Sequence, residues 1–181
     1  MLTLGILFKM PELIIKQASV ENLKELQSLA VQTFYETFSG HNTKENMNIY
    51  LDTAFSGKQL KKEMLNPDSY FYLIYDGEQL IGYLKINFNQ AQTEIKQDDS
   101  AEIERIYVWN TYHGKNIGLL LLKKAIEIAK DNQKGFLWLG VEDKNYRAVK
   151  FYQKNGFKQF DQHIFKFGEQ MQTDLMMKLD L

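Results

Sequence analysis

The chain of 181 residues contains no cysteine, which excludes disulfide staples, cysteine-ligated metal and a thiol nucleophile, and fits a reducing compartment. Long apolar runs are missing too. The apolar opening from Met1 to Phe8 is far too short to span a bilayer and lacks the cationic start and small-residue cleavage site of a secretory signal, so a cytoplasmic protein without membrane attachment is expected. Neither sign of charge is in excess: a formal net charge of -1 gives no long-range pull toward nucleic acid. His41 and His163 stand at no metal-ligand spacing, and neither His-Glu-x-x-His nor Gly-x-Ser-x-Gly occurs, so no metal centre and no serine-hydrolase mechanism is expected.

What is present suffices for one core: 44% of the residues are hydrophobic, and the length matches a single domain. Met10-Pro11 precedes a strand-like run, Leu13-Ile14-Ile15, so residues 1–10 are expected as an extra or frayed segment ahead of one domain over 11–181; an ordered arm packed on a neighbouring subunit is the rival reading. After a first strand over 13–17, Ser19 stands as an N-cap before helical spacing over 20–38. Two more helical patterns lie near 44–51 and 58–65.

Tyr70 to Tyr75, Asp76-Gly77 and Leu80 to Phe88 predict a hairpin, and residues 89–100 predict an exposed, mobile loop without apolar periodicity. A strand over 102–108, an amphipathic helix over 117–130, a buried strand over 136–141 and a helix over 145–155 stopped by Gly156 follow. Short strands near 157–160 and 173–179 close the sheet. The order predicts one mixed α/β sheet with helices on both faces.

Chemistry concentrates where Ile106-Tyr107-Val108 leads through His113-Gly114-Lys115-Asn116 into Ile117-Gly118-Leu119. A helix start offers unpaired N–H groups and partial positive charge, and glycine lets a phosphate approach, so this turn suits a pyrophosphate; an ordinary turn is the plainer reading. The P-loop and dinucleotide fingerprints are both missing. A second segment, Asn145-Tyr146-Arg147-Ala148-Val149-Lys150-Phe151-Tyr152-Gln153-Lys154-Asn155-Gly156-Phe157, lies downstream.

The two segments in this order resemble the GNAT acetyltransferase family. The second keeps every named position of the family's Asn-x-x-Ala-x-x-Phe-Tyr-x-x-x-Gly-Phe helix. The first departs from Gln/Arg-x-x-Gly-x-Gly/Ala, with His113 at the Gln/Arg site and Asn116 at the first Gly site; Gly118 is kept. Asparagine tolerates the left-handed geometry required there. Thr33-Phe34-Tyr35-Glu36-Thr37-Phe38, Glu102 to Val108, and the tail from Phe165 to Asp174 are similar to the PaiA-like branch, associated with polyamine substrates.

The resemblance implies a mostly antiparallel sheet of about seven strands, splayed where acetyl-CoA binds, and transfer of acetyl to a primary amine by direct attack on the thioester. It implies that the backbone of Ile106, Tyr107 and Val108 holds the pantetheine arm, with the Val108 N–H toward the thioester oxygen. The backbone from Gly114 through Leu119 and the His113 side chain would meet the phosphates. Tyr152 matches the family's acid, and Asn145 would bond a pantetheine amide or merely cap its helix. Lys115 and Lys154 either reach phosphate or are solvated charges.

Glu104, four residues before Val108 and expected on its strand face, matches the glutamate base of some members. Glu102 shares that face, so the pair could instead draw in a cationic amine while water carries the proton. Glu36 joins them as a substrate-side acid. A homodimer is implied as well, and a non-catalytic acyl-CoA-binding module stays open.

Overall fold

The computed structural model describes residues 13–40, 42–167 and 170–181, so the expected extra segment over 1–10 lies outside the described residues, as does His41. In chain order the elements are β1 (Leu13–Gln17), α1 (Leu23–Phe38), α2 (Lys44–Ala54), α3 (Gly57–Met64), β2 (Ser69–Asp76), β3 (Gln79–Phe88), β4 (Ser100–Val108), α4 (Ile117–Asp131), β5 (Phe136–Glu142), α5 (Tyr146–Lys154), β6 (Lys158–Phe167) and β7 (Gln170–Asp180). They form one sheet in the order β1-β2-β3-β4-β5-β7-β6, antiparallel except where β4 meets β5.

Local chemistry accounts for the helix starts. Ser19 forms a reciprocal capping box with Asn22, opening a short 3-10 turn that runs into α1. Thr43 and Ser56 accept from the N–H groups of Asn46 and Gln59 at the starts of α2 and α3. Each sheet face then receives its own apolar layer. Leu121, Leu122, Ala125 and Tyr152 from α4 and α5 pack with Leu84, Ile86, Ile103 and Leu139 on one side. Leu26, Leu29, Phe34, Met47 and Leu60 from α1 to α3 pack with Phe71, Leu73 and Tyr83 on the other. Burying each Leu, Ile, Phe or Met among them contributes about 1.5–3 kcal/mol, so the helices are held by packing on the sheet more than by intrinsic propensity. Among the described residues no helix is long and apolar enough to cross a membrane.

Three expectations change. The β2–β3 turn is Gly77-Glu78, one residue later than Asp76-Gly77: Asp76 pairs with Gln79, and Gly77 carries the positive φ of 59°. The last two strands extend into a long hairpin, pairing from Lys158 with Lys178 to Phe167 with Gln170; a register shift between Gln159 and Asp161 interrupts the alternation that would have marked their length in the sequence. The segment 89–100 is anchored rather than loose. Gln92 is 1% exposed, accepts from Trp138 Nε1 at 2.7 Å and Ser100 Oγ at 2.8 Å, and sends its amide to the carbonyls of Asn89 and Gln97. Polar anchoring of this kind leaves no apolar period.

Replacing Gln92 with Ala strands the Trp138 donor. It is expected to cost about 2 kcal/mol in urea denaturation and to make the lysine at 96 a fast tryptic site. Unchanged stability and cleavage would show the anchor to be idle.

Candidate active site

β4 pairs with β5 only over Ser100–Glu102 against Phe136–Trp138. Trp109 N–H bonds the Ile81 carbonyl at 3.0 Å, so in the alternating pattern of an antiparallel pair Val108 and Ile106 turn their peptide groups to the opposite edge, which faces β5 across a gap. Tyr107, expected with them, faces β3 instead: a Cβ on Gly82 would lie 2.8 Å from the Tyr107 carbonyl oxygen. A cavity of about 260 Å³ opens in this gap and is lined on the β4 side by Glu102 to Tyr107 and across from it by Trp138, Val141, Asn145, Ala148 and Tyr152.

At the far end of β4 the chain turns into α4 through Gly114 at φ 78° and Asn116 at φ 62°. Asn116 is thus the left-handed residue the sequence pattern required of it. Its side chain makes no cap bond, and Leu120 N–H closes the first turn on its carbonyl. The N–H groups of Ile117, Gly118 and Leu119 are left without helical partners, and no acid occupies the first turn. A Cβ at Gly118 would meet nothing nearer than Phe151 at 3.9 Å, so packing does not demand glycine there; its bare surface fits an anionic ligand group such as a pyrophosphate.

His113 differs from expectation in what its ring does. Nε2 lies 2.8 Å from the Val108 carbonyl, and the Arg147 guanidinium lies 2.7 Å from Nδ1. Burial and Arg147 hold the imidazole below its usual pKa; a second Arg147 nitrogen lies 3.1 Å from Nε2, but the nearer Val108 carbonyl can only accept, which favours the neutral tautomer with Nε2–H donating to Val108 and Nδ1 accepting from Arg147. Its one donor is therefore taken. Arg147, exposed on α5, is the cation that the sequence reading missed at this turn. Lys115 rests over the Tyr112 ring at 4.5 Å, and Lys154 is exposed in the last turn of α5, outside the cavity lining.

The carboxylates sort sharply. Lys85 pairs with Arg105 while Ile86 pairs with Ile103, which makes Glu104 the extra residue of a β-bulge. The bulge puts Glu104 beside Arg105, beneath α1 to α3, whereas Ile106 and Val108 pack on the opposite sheet face; the expected sharing of a face with Val108 fails for this reason. Glu104 accepts from Lys85 at 2.6 Å, Arg105 at 2.9 Å and Asn87 at 2.6 Å, and Glu63 of α3 binds the same two cations. Burial raises its pKa, but Arg105 and Lys85 outweigh that and hold it below the usual carboxylate range, leaving it firmly ionised.

Glu102 is the opposite case. It is 3% exposed and, among the described residues, has no cation on it; Thr93 N–H and Asn87 bond Oε2 at 2.8 and 3.2 Å, and Thr93 Oγ1 bonds Oε1 at 2.6 Å. Desolvation, helped by Glu104, lifts its pKa to about 7. Asp174, on the same cavity, is lifted by burial to about 6. Thr93 and Asn87 were not singled out from sequence, since nothing in a polar loop or a strand asparagine announces such a partner.

Tyr152 is buried against Phe151 and Phe157 and reaches the cavity wall; burial pushes its phenol well above the ordinary value, so it is protonated at neutral pH. Asn145 caps α5 through Oδ1, 3.1 Å from Ala148 N, which leaves its amide N–H to face the cavity. Glu36 accepts from Asn110 N–H at 3.2 Å and ties α1 to the turn after β4, outside the cavity lining. Among the described residues no group of three His, Asp or Glu converges as a metal site.

A family model described as the acetyltransferase (GNAT) family matches residues 23–157. An uncharacterized N-acetyltransferase of Lactobacillus delbrueckii subsp. lactis is 34% identical over 164 residues, covering 91% of this chain and 95% of that one. A spermidine N(1)-acetyltransferase of Thermoplasma acidophilum is 29% identical over 150 residues, 80% of this chain and 87% of the relative. Among solved structures, the PaiA N-acetyltransferase from Thermoplasma acidophilum in complex with coenzyme A superposes with a TM-score of 0.78 at 25% identity, covering 94% of this chain and 99% of that one. The splayed α/β sheet, the open helix start and these likenesses agree: the chain belongs to the GNAT acetyltransferase family. Within it, the protein is an N-acetyltransferase whose acetyl donor is acetyl-CoA.

The raised Glu102 pKa has a cost in stability. From about pH 4.5 through about pH 7 the unfolded chain loses this proton before the folded one, so stability falls across that window and the cost is complete above it. Glu102→Gln removes the buried charge and its amide can still serve Thr93. At about pH 8 the variant is expected to be more stable than the parent by about 1–3 kcal/mol in urea denaturation, with no gain at about pH 4. An equal difference at both pH values would contradict the assignment.

Proposed function

We propose that the acetyl acceptor is a polycationic primary amine of the polyamine class. The observation carrying this is the acidic cavity wall: among the described residues it carries Glu94, Glu102, Glu104, Glu142 and Asp174 against Arg105, which Glu63 and Glu104 already neutralise, and His163. Such a wall attracts cations. The Thermoplasma spermidine acetyltransferase, a relative by sequence, supports the same class.

Acetyl-CoA supplies the thioester carbonyl and the thiolate leaving group. The N–H groups of Ile117 to Leu119, with the turn at Gly114 and Asn116, hold the pyrophosphate, and Arg147 stands beside them through His113. The exposed edge of β4 and the Asn145 amide hold the pantetheine arm, and the Val108 N–H is the oxyanion donor. Glu102 takes the proton from the incoming ammonium. Glu104, expected in that role, is held ionised by two cations and serves as a fixed negative charge that keeps Glu102 basic near neutrality. Tyr152 returns a proton to the departing sulfur.

Thiol release from acetyl-CoA over a panel of spermidine, spermine, n-butylamine, a lysine peptide and a peptide N-terminus tests the reading. The polyamines are expected to give the highest kcat/KM, falling with added salt, and Tyr152→Phe is expected to lower kcat at least about tenfold while coenzyme A binding stays near parental. Faster turnover of a peptide than of any polyamine would overturn the substrate assignment, and an unchanged kcat would remove Tyr152 from the acid role.

A further inference from the structure

We propose that the Thr93 hydroxyl is a proton relay between the acceptor ammonium and Glu102. The inference rests on the reading of Glu102 as the base and adds how that base is reached. Glu102 is 3% exposed, yet it lines the cavity, and each of its oxygens is covered. Oε2 is shared by Thr93 N–H and Asn87 Nδ2, both of them donors that cannot pass a proton onward. Oε1 is capped by Thr93 Oγ1 at 2.6 Å, and Thr93 itself is an exposed residue of the cavity wall. A hydroxyl is the one group in this set that donates and accepts at once.

The transfer balances. Thr93 Oγ1–H gives its proton to Glu102 Oε1 as Oγ1 takes one from the ammonium nitrogen. The ammonium becomes a neutral amine with its lone pair free, the carboxylate becomes a carboxylic acid, and the hydroxyl is restored.

The surroundings keep the relay in place. Gln92, immediately before Thr93, is buried on Trp138 and Ser100, so the backbone carrying the hydroxyl is fixed. Asn87 receives Ser69 Oγ at its Oδ1 at 2.8 Å and holds Glu102 and Glu104 with its amide. The charged groups around the relay are Glu104 and Arg105 on β4, Lys85 on β3, Glu63 on α3, Glu94 beside Thr93, Glu142 on β5, His163 on β6 and Asp174 on β7. Asp174, lifted to about 6, titrates close to Glu102, so a pH profile alone does not separate them.

The test compares Thr93→Val, Thr93→Ser, Glu102→Gln and Asp174→Asn in the full chain. Spermidine and n-butylamine are the acceptors, with acetylation followed against pH and in mixtures of light and heavy water. A carbon-13 titration of the glutamate carboxyls without ligand accompanies it. Thr93→Val is expected to lower kcat at least about tenfold with KM little changed, to move the acid limb to higher pH because a bond favouring the carboxylate is gone, and to straighten a curved proton inventory. The same variant raises the Glu102 titration in the unliganded protein. Thr93→Ser restores all four readouts, and Asp174→Asn leaves the curvature in place.

Thr93→Val with parental kcat and curvature, beside an inactive Glu102→Gln, overturns the relay and spares the base. An active Glu102→Gln overturns the base and the relay together. Folding of each variant is read from its thermal transition, and a Thr93→Ser protein that folds yet stays as slow as Thr93→Val also overturns the proposal.

Discussion

The hydrogen-bond ladder between β4 and β5 stops at Glu102, and the bulge at Glu104 begins two residues later. A bulge bends its strand and increases the local twist, so β4 swings away from β5 where the parallel pairing ends. Everything downstream depends on that departure. Peptide groups of β4 that a complete sheet would have consumed are left off the β5 ladder: Ile106 lines the cavity, the Val108 carbonyl meets His113, and Tyr152 and Asn145 reach the cavity from the other wall. The strand that opens the site also aims into α4, whose unsatisfied first turn stands at the end of the exposed edge.

The bulge also settles the electrostatics. Placing Glu104 and Arg105 together under α3 lets the half-buried Glu63 and Glu104 neutralise the buried Lys85 and Arg105 in a four-membered network. Such a network contributes little net stability against an apolar equivalent, but removing one member strands a buried charge. Its value to the site lies in what it leaves out. Glu102, two residues along, receives hydrogen bonds and, among the described residues, no cation, so burial, helped by the fixed negative charge of Glu104 beside it, makes losing a proton harder. Two carboxylates of one short strand thereby acquire opposite protonation behaviour from their environments alone.

Much of this was legible in the sequence, and the exceptions share a cause. The order of elements, the Ser19 cap, the left-handed Asn116 and the motif helix carrying Tyr152 follow from local rules of spacing, capping and φ preference. Alternation along β4 likewise predicts which residues share a face, but a single inserted residue reverses that rule, and nothing in Glu102-Ile103-Glu104-Arg105 marks where the insertion falls. Gln92 and Thr93 look like loop residues because their value comes from Trp138 and Glu102, which the fold brings to them. His113 sits at the expected position with its donor turned to Val108, an outcome decided by Arg147 from another helix.

The fold divides its two neighbouring glutamates into an ionised structural partner and a carboxyl that titrates near neutrality. Side-chain carboxyl chemical shifts of the unliganded protein, followed by carbon-13 NMR from about pH 3 to about pH 9, measure it directly. A Glu102 carboxyl that titrates near 7 and a Glu104 carboxyl still ionised below the ordinary glutamate midpoint are expected. A Glu104 midpoint near neutrality with an ordinary Glu102 would contradict it.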